Sequence, residues 1–261
     1  MKGRFGWILL LGSLVLAGCQ SSLVGKDPRD NLKGEQRTSS AESHLRLGYA
    51  YLQSGQIERG KDRFLRALQY APELPKVQAG MGYYFSQVGQ NQLAEVHYTE
   101  ALRLDPTSSE TLNSFGVHLC NTGKYSQAQV NFRKALSNQF YGTPARAYVN
   151  SGLCLLKENK PKQAIDDLRE ALKTEPENQQ ALRALTEFYL EDQKLNLATH
   201  YLNRYSRTAK SSPPLLWLQY QLATAKGDDK LATRALNTLQ NSYPESDETF
   251  QLLQSLDRSN K

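Results

Sequence analysis

One spacing governs what this chain can fold into. Gly48, Gly82, Gly116, Gly152, Thr186 and Tyr220 stand at intervals of 34, 34, 36, 34 and 34 residues. A second column runs twelve residues later: Gly60, Ala94, Ala128, Ala164, Ala198 and Ala232. Four residues on, large apolar side chains recur at Phe64, Tyr98, Phe132, Leu168, Leu202 and Leu236. A fourth column follows at Ala67, Ala101, Ala135, Ala171, Tyr205 and Leu239, and Pro72, Pro106, Pro176 and Pro244 close four of the six units. A period of this length marks an array in which each unit is one supersecondary element.

The columns have a physical cause. Two antiparallel helices approach closely only where the facing side chain is small, so Gly or Ala belongs at the crossings and large apolar groups fill the space between. Proline biases the residue before it away from helix, which ends the second helix of each unit. A single hairpin cannot cover its own apolar faces, whereas stacked hairpins share one continuous core. The pattern resembles the tetratricopeptide repeat, which implies an all-α, right-handed solenoid of about six helix-turn-helix units.

The repeats are placed at 41–74, 75–108, 109–144, 145–178, 179–212 and 213–246. The third carries two extra residues around Phe140-Tyr141-Gly142-Thr143-Pro144. The fifth and sixth depart from the pattern, with Thr186 and Tyr220 where a small residue is usual. Residues 247–261 are expected to form a capping helix and tail, since a solenoid must cover its last apolar face.

Ahead of the array, Lys2 and Arg4 precede an apolar run from Trp7 to Ala17. It is too short for a lasting bilayer span of about 20 residues and reads as a secretory signal over 1–18. The run ends Leu16-Ala17-Gly18-Cys19, which resembles the lipobox of bacterial lipoproteins and implies a covalent lipid on Cys19. Gln20 and Ser21 follow where an Asp would favour inner-membrane retention. The implied address is the inner leaflet of the outer membrane, with the domain facing the periplasm. The polar stretch up to Ser40, with Gly25, Asp27-Pro28 and Gly34, shows no helical apolar period, so 19–40 is expected to be a lipidated Cys and flexible tether.

Composition excludes several function classes. Charged residues make up 22% of the chain and are interleaved in sign. The formal charge of +6 includes Lys2 and Arg4, and no basic run of the kind that follows a phosphate backbone occurs, so no nucleic acid is expected. His44, His97, His118 and His200 fall in different repeats without metal-ligand spacing, and the glycines are accounted for by packing. His118 near Cys120 is the one local nucleophile-base pair and is read as a helix-surface histidine beside a structural cysteine. No enzyme, no cofactor beyond the lipid and no small-molecule substrate are expected.

The expected working surface is the concave face, lined by the first helices. Leu45, Tyr49 and Leu52, then Tyr83, Asn113, Val117 and Leu153, stand at inward spacing. They define an apolar, aromatic groove for an extended or helical partner segment, with Asn113 offering a hydrogen-bond pair to a backbone amide. The alternative for Leu45 and Leu52 is simple core packing. With Cys19 lipidated, two thiols are left, Cys120 and Cys154, on the first helices of consecutive repeats. In an oxidising compartment they are expected to form a disulfide, the alternative being two small buried thiols.

The stretch Asn113-Ser114-Phe115-Gly116-Val117-His118-Leu119-Cys120, then Gly123-Lys124-Tyr125, Tyr141-Gly142-Thr143-Pro144-Ala145-Arg146-Ala147 and Asn150-Ser151-Gly152-Leu153-Cys154, resembles the type IV pilus biogenesis lipoproteins of the PilF/PilW family. The insertion flanked by the two cysteines is the specific part. The resemblance implies a pilotin, an outer-membrane lipoprotein that binds the pilus secretin subunit and promotes its localisation and multimerisation. The competing reading is a repeat lipoprotein serving outer-membrane protein assembly or cell-wall hydrolases.

Overall fold

The computed structural model describes residues 33–259, so the signal segment, Cys19 and most of the expected tether lie outside the described residues. Among the described residues six helix pairs follow one another: α1 (Gly34–Gln53) with α2 (Ile57–Tyr70), α3 (Pro75–Gln87) with α4 (Asn91–Leu104), and α5 (Ser109–Asn121) with α6 (Tyr125–Leu136). Then come α7 (Pro144–Lys157) with α8 (Pro161–Thr174), α9 (Gln179–Glu191) with α10 (Leu195–Thr208), and α11 (Pro213–Lys226) with α12 (Asp229–Ser242). A thirteenth helix, α13 (Asp247–Ser259), ends the described chain, which contains no strand.

The glycine column is where the paired helices touch. A Cβ on Gly48 would stand 3.0 Å from the Phe64 ring, one on Gly82 2.9 Å from Tyr98, one on Gly116 2.6 Å from Phe132, and one on Gly152 2.8 Å from Leu168. Each first helix thus lies directly on the large side chain of its own second helix. In repeats five and six that side chain is again a leucine, Leu202 or Leu236, as in repeat four, but Thr186 and Tyr220 replace the glycine. Between repeats one and two the seam is equally close, since a Cβ on Gly80 would meet Leu45 Cδ2 at 2.6 Å.

Each hairpin turn needs one left-handed residue to end its first helix. Gly55, Gly89, Gly123 and Gly227 supply it with φ between 72° and 77°, while Asn159 and Gln193 supply it in repeats four and five. At the far end, Leu252 of α13 is fully buried with Leu216 and Leu239, so this helix covers the open face of the sixth pair.

The expected tether ends earlier than Ser40. Residues 34–40 are the opening turns of α1, with the Lys33 backbone N–H donating to Gln36 Oε1 at 3.0 Å and the Arg37 N–H to the Lys33 carbonyl at 3.0 Å. These residues are exposed or half-buried, and full burial begins at Ala41. A helical turn that projects beyond the core carries no apolar stripe, so its sequence reads as polar linker.

The insertion forms the loop after α6. Tyr141 is buried against Leu112, Ala135 and Ala147, whereas Phe140 is 94% exposed. Asn138 organises the turn: its Nδ2 donates to Ser109 Oγ at 3.0 Å and its Oδ1 accepts from the Phe140 N–H at 3.0 Å. Across the same junction Arg133 and Ser151 both donate to the buried carboxylate of Asp167, a polar tie between repeats three and four.

Candidate functional site

The first helices of repeats one to four line a groove of about 650 Å³. Its floor is Leu45, Tyr49, Ala79 and Tyr83. Tyr49 is wedged edge-on against Phe64, centroids 5.2 Å apart, and tilted against Tyr83 at 5.1 Å. Burial first, and the neighbouring Tyr83 second, push its hydroxyl up to about 12, so it stays a neutral donor at any physiological pH. Two rings locked in this way offer contact area without a further loss of side-chain freedom on binding.

Charge is confined to the rim. Glu42, Lys76, Glu110 and Arg146 occupy one repeat position on α1, α3, α5 and α7, alternating in sign, and all four border the groove. Lys76 Nζ and Glu42 Oε1 are 3.1 Å apart. Arg46, also at the rim, donates to Ser43 Oγ at 2.9 Å. Among the described residues neither Arg46 nor Arg146 is held in an ion pair. An apolar floor with a rim of alternating charge is suited to gripping a peptide segment.

Of the expected groove residues the structure brings together Leu45, Tyr49 and Tyr83. The other four are corrections. Leu52 turns into its own hairpin, where a Cβ on Gly60 would stand 2.9 Å from its Cδ2. Asn113 is buried, and its Oδ1 accepts from Asn150 Nδ2 at 3.0 Å, so its amide ties repeat three to repeat four rather than waiting for a partner. Val117 and Leu153 are half-buried and pack against the inner clusters of repeats three to six. Arg46, Lys76, Glu110 and Arg146 were missed by following apolar spacing alone. The signal that finds Lys76, Glu110 and Arg146 is the column of alternating charge that begins at Glu42 and recurs at 34, 34 and 36 residues.

Cys120 of α5 and Cys154 of α7 are joined by a disulfide, with Cα atoms 5.8 Å apart and both residues buried. The Cys120 sulfur is therefore engaged. His118 is not at the surface as expected: it is 1% exposed, its Nδ1 lies 2.9 Å from Ser86 Oγ, and its ring sits beside Tyr98 and Phe115. Burial, partly opposed by Glu95, lowers its pKa and keeps it neutral. Among the described residues no group of His, Cys, Asp and Glu could hold a metal ion, and no helix is long and apolar enough to cross a membrane.

Models of the tetratricopeptide repeat match residues 41–74 and 155–222. A comparison with curated protein sequences finds no match. Among solved structures, PilF of Pseudomonas aeruginosa superposes with a TM-score of 0.70 at 23% identity, over 84% of this chain and 99% of that one. PilW, described as a widely conserved type IV pilus biogenesis factor, gives 0.72 at 24% identity, over 82% and 98%. YrrB, a repeat protein with an unusual peptide-binding site, gives 0.52 at 18% identity, over 73% and 97%. The stacked helix pairs of the described residues, the 34-residue period and these superpositions make the chain an all-α tetratricopeptide-repeat solenoid, similar in fold to PilF and PilW over nearly their whole length.

Proposed function

We propose that this chain is a lipid-anchored adaptor of type IV pilus biogenesis that holds a segment of the pilus secretin subunit in its concave groove and promotes delivery and multimerisation of the secretin at the outer membrane. The observation that carries the proposal is the groove itself: preset Tyr49 and Tyr83 on an apolar floor, with Arg46 and Arg146 at the rim and outside any ion pair among the described residues, in a fold that matches PilF and PilW nearly end to end. A lipid on Cys19 would place that groove at the membrane where the ring assembles.

The test is a pull-down of the secretin subunit from detergent-solubilised outer membranes with the purified full-length protein. Tyr49→Ala combined with Tyr83→Ala is expected to abolish capture, since an aromatic anchor in such a groove contributes roughly 2 kcal/mol or more. Circular dichroism must show the double variant folded, because Tyr49 also packs on Phe64. Capture of outer-membrane assembly factors or cell-wall hydrolases in place of the secretin would move the chain to the competing adaptor role. Undiminished secretin capture by the folded double variant would place the docking surface elsewhere.

A further inference from the structure

A second site lies at the other end of the solenoid. In repeats two to five the third residue after the glycine column is large: Phe85, Leu119, Leu155 and Tyr189. A ring pair forms at two of these repeats: Phe85 stacks on His97 of the paired helix in repeat two, centroids 5.2 Å apart at 15°, and Tyr189 on Tyr201 in repeat five at 5.6 Å and 7°, whereas repeats three and four have Asn131 and Asp167 at the second position. The corresponding residues of repeat six are Ala223 and Ala235. Both ring positions are truncated there, and a cleft of about 520 Å³ opens between α10, α11 and α12, within the size range of ligand sites. Leu202, Leu216 and Leu222 complete an apolar floor, and Leu231, 53% exposed, forms a lip.

The rim of this cleft carries two cations and one carboxylate. Lys226 and Arg234 border it, and among the described residues neither is held in an ion pair. The rim carboxylate of Asp228 accepts from the Leu231 N–H at 3.0 Å and is committed to capping α12. A ring-sized apolar vacancy beside two unpaired cations has a definite complement. We infer that the cleft of repeat six docks a partner-protein segment in which an aromatic side chain, taking the place of the absent ring pair, is next to a carboxylate that meets Lys226 and Arg234. This inference does not rest on the reading of the groove of repeats one to four.

The test uses fluorescence anisotropy of a labelled peptide, Ser-Gly-Phe-Asp-Gly-Ser, added to the purified full-length protein in detergent. Saturable binding is expected, weakened about tenfold when the peptide carries Lys for Asp and by Arg234→Glu in the protein, the loss that one close charge pair gives. Ala223→Phe with Ala235→His rebuilds the pair of repeat two and is expected to remove binding. Should that variant misfold, Arg234→Glu, a change at the rim of the cleft, decides alone. Tyr49→Ala is expected to leave binding unchanged. The proposal is overturned by the absence of saturable binding, by indifference to Arg234→Glu and the charge swap, or by sensitivity to Tyr49→Ala.

Discussion

Gly116→Ala separates helix propensity from the demands of the stack. In the middle of α5, alanine is intrinsically favoured over glycine by about 1 kcal/mol. Its methyl, however, would stand 2.6, 2.8 and 3.0 Å from three carbons of the Phe132 ring, where carbon contacts settle at roughly 3.5–4.0 Å. Phe132 is fully buried, so relief requires α5 and α6 to separate, and overpacking of this kind costs about 1–3 kcal/mol. With the propensity gain set against this cost, the net expectation is destabilisation of up to about 2 kcal/mol, with a fall in Tm of about 2–4 °C for each kcal/mol in an array of this size. Phe132→Ala alone leaves a cavity. Combined with Gly116→Ala it removes the clash, so the double variant should be more stable than the sum of the singles by about 1 kcal/mol or more. Urea unfolding of the four proteins measures this coupling, with Gly34→Ala as a control because nothing lies within 4 Å of its Cβ position. A Gly116→Ala protein as stable as the parent, with no coupling to Phe132, would refute ring contact as the reason for the column.

Removing the disulfide with Cys120→Ala and Cys154→Ala should cost up to about 3–4 kcal/mol from a loop of 34 residues, read as a lower Tm and faster hydrogen exchange in α5 and α7. Alkylation of both thiols in periplasmically produced protein would refute the bridge. His118, His97 and His44 all have pKa values lowered by burial. Such groups stabilise the fold fully above about pH 6.5, the ordinary histidine value, and that stability is lost as pH falls below it, because the unfolded chain takes up protons more readily. Tm should therefore drop between pH 7.5 and 5.5, and less steeply in His118→Asn; identical slopes in the two proteins would rule out His118 as a source. Cys19→Ser should move the protein out of the outer-membrane fraction, and unchanged fractionation would exclude the lipid anchor.

The two proposed docking surfaces lie in different repeats of one array. Repeats one and two keep the glycine column and carry Tyr49 and Tyr83 one residue after it, at the concave face. Repeat six has Tyr220 in that column and, three residues on, Ala223 where repeats two and five carry a ring, beside the cleft against its second helix. A stacked array tolerates both because each repeat contacts only its neighbours, so a local vacancy does not propagate.

Sequence alone determined the helical hairpins, their number and their order, because the 34-residue spacing of small and large side chains has one stable solution, the stack that buries them. It also marked Cys120 and Cys154 as neighbours, since residues on successive first helices are adjacent in any such stack. Only the tertiary structure decided which inward residues are free. Asn113 and Leu52 sit at groove spacing, yet the first is taken up by Asn150, 37 residues away, and the second by the gap above Gly60. The start of α1 was hidden for a related reason, as turns that overhang the core bear no apolar signature. A repeat position fixes where a side chain points, but whether that direction ends in solvent or in another side chain depends on a residue elsewhere in the stack, and the period carries no record of that pairing.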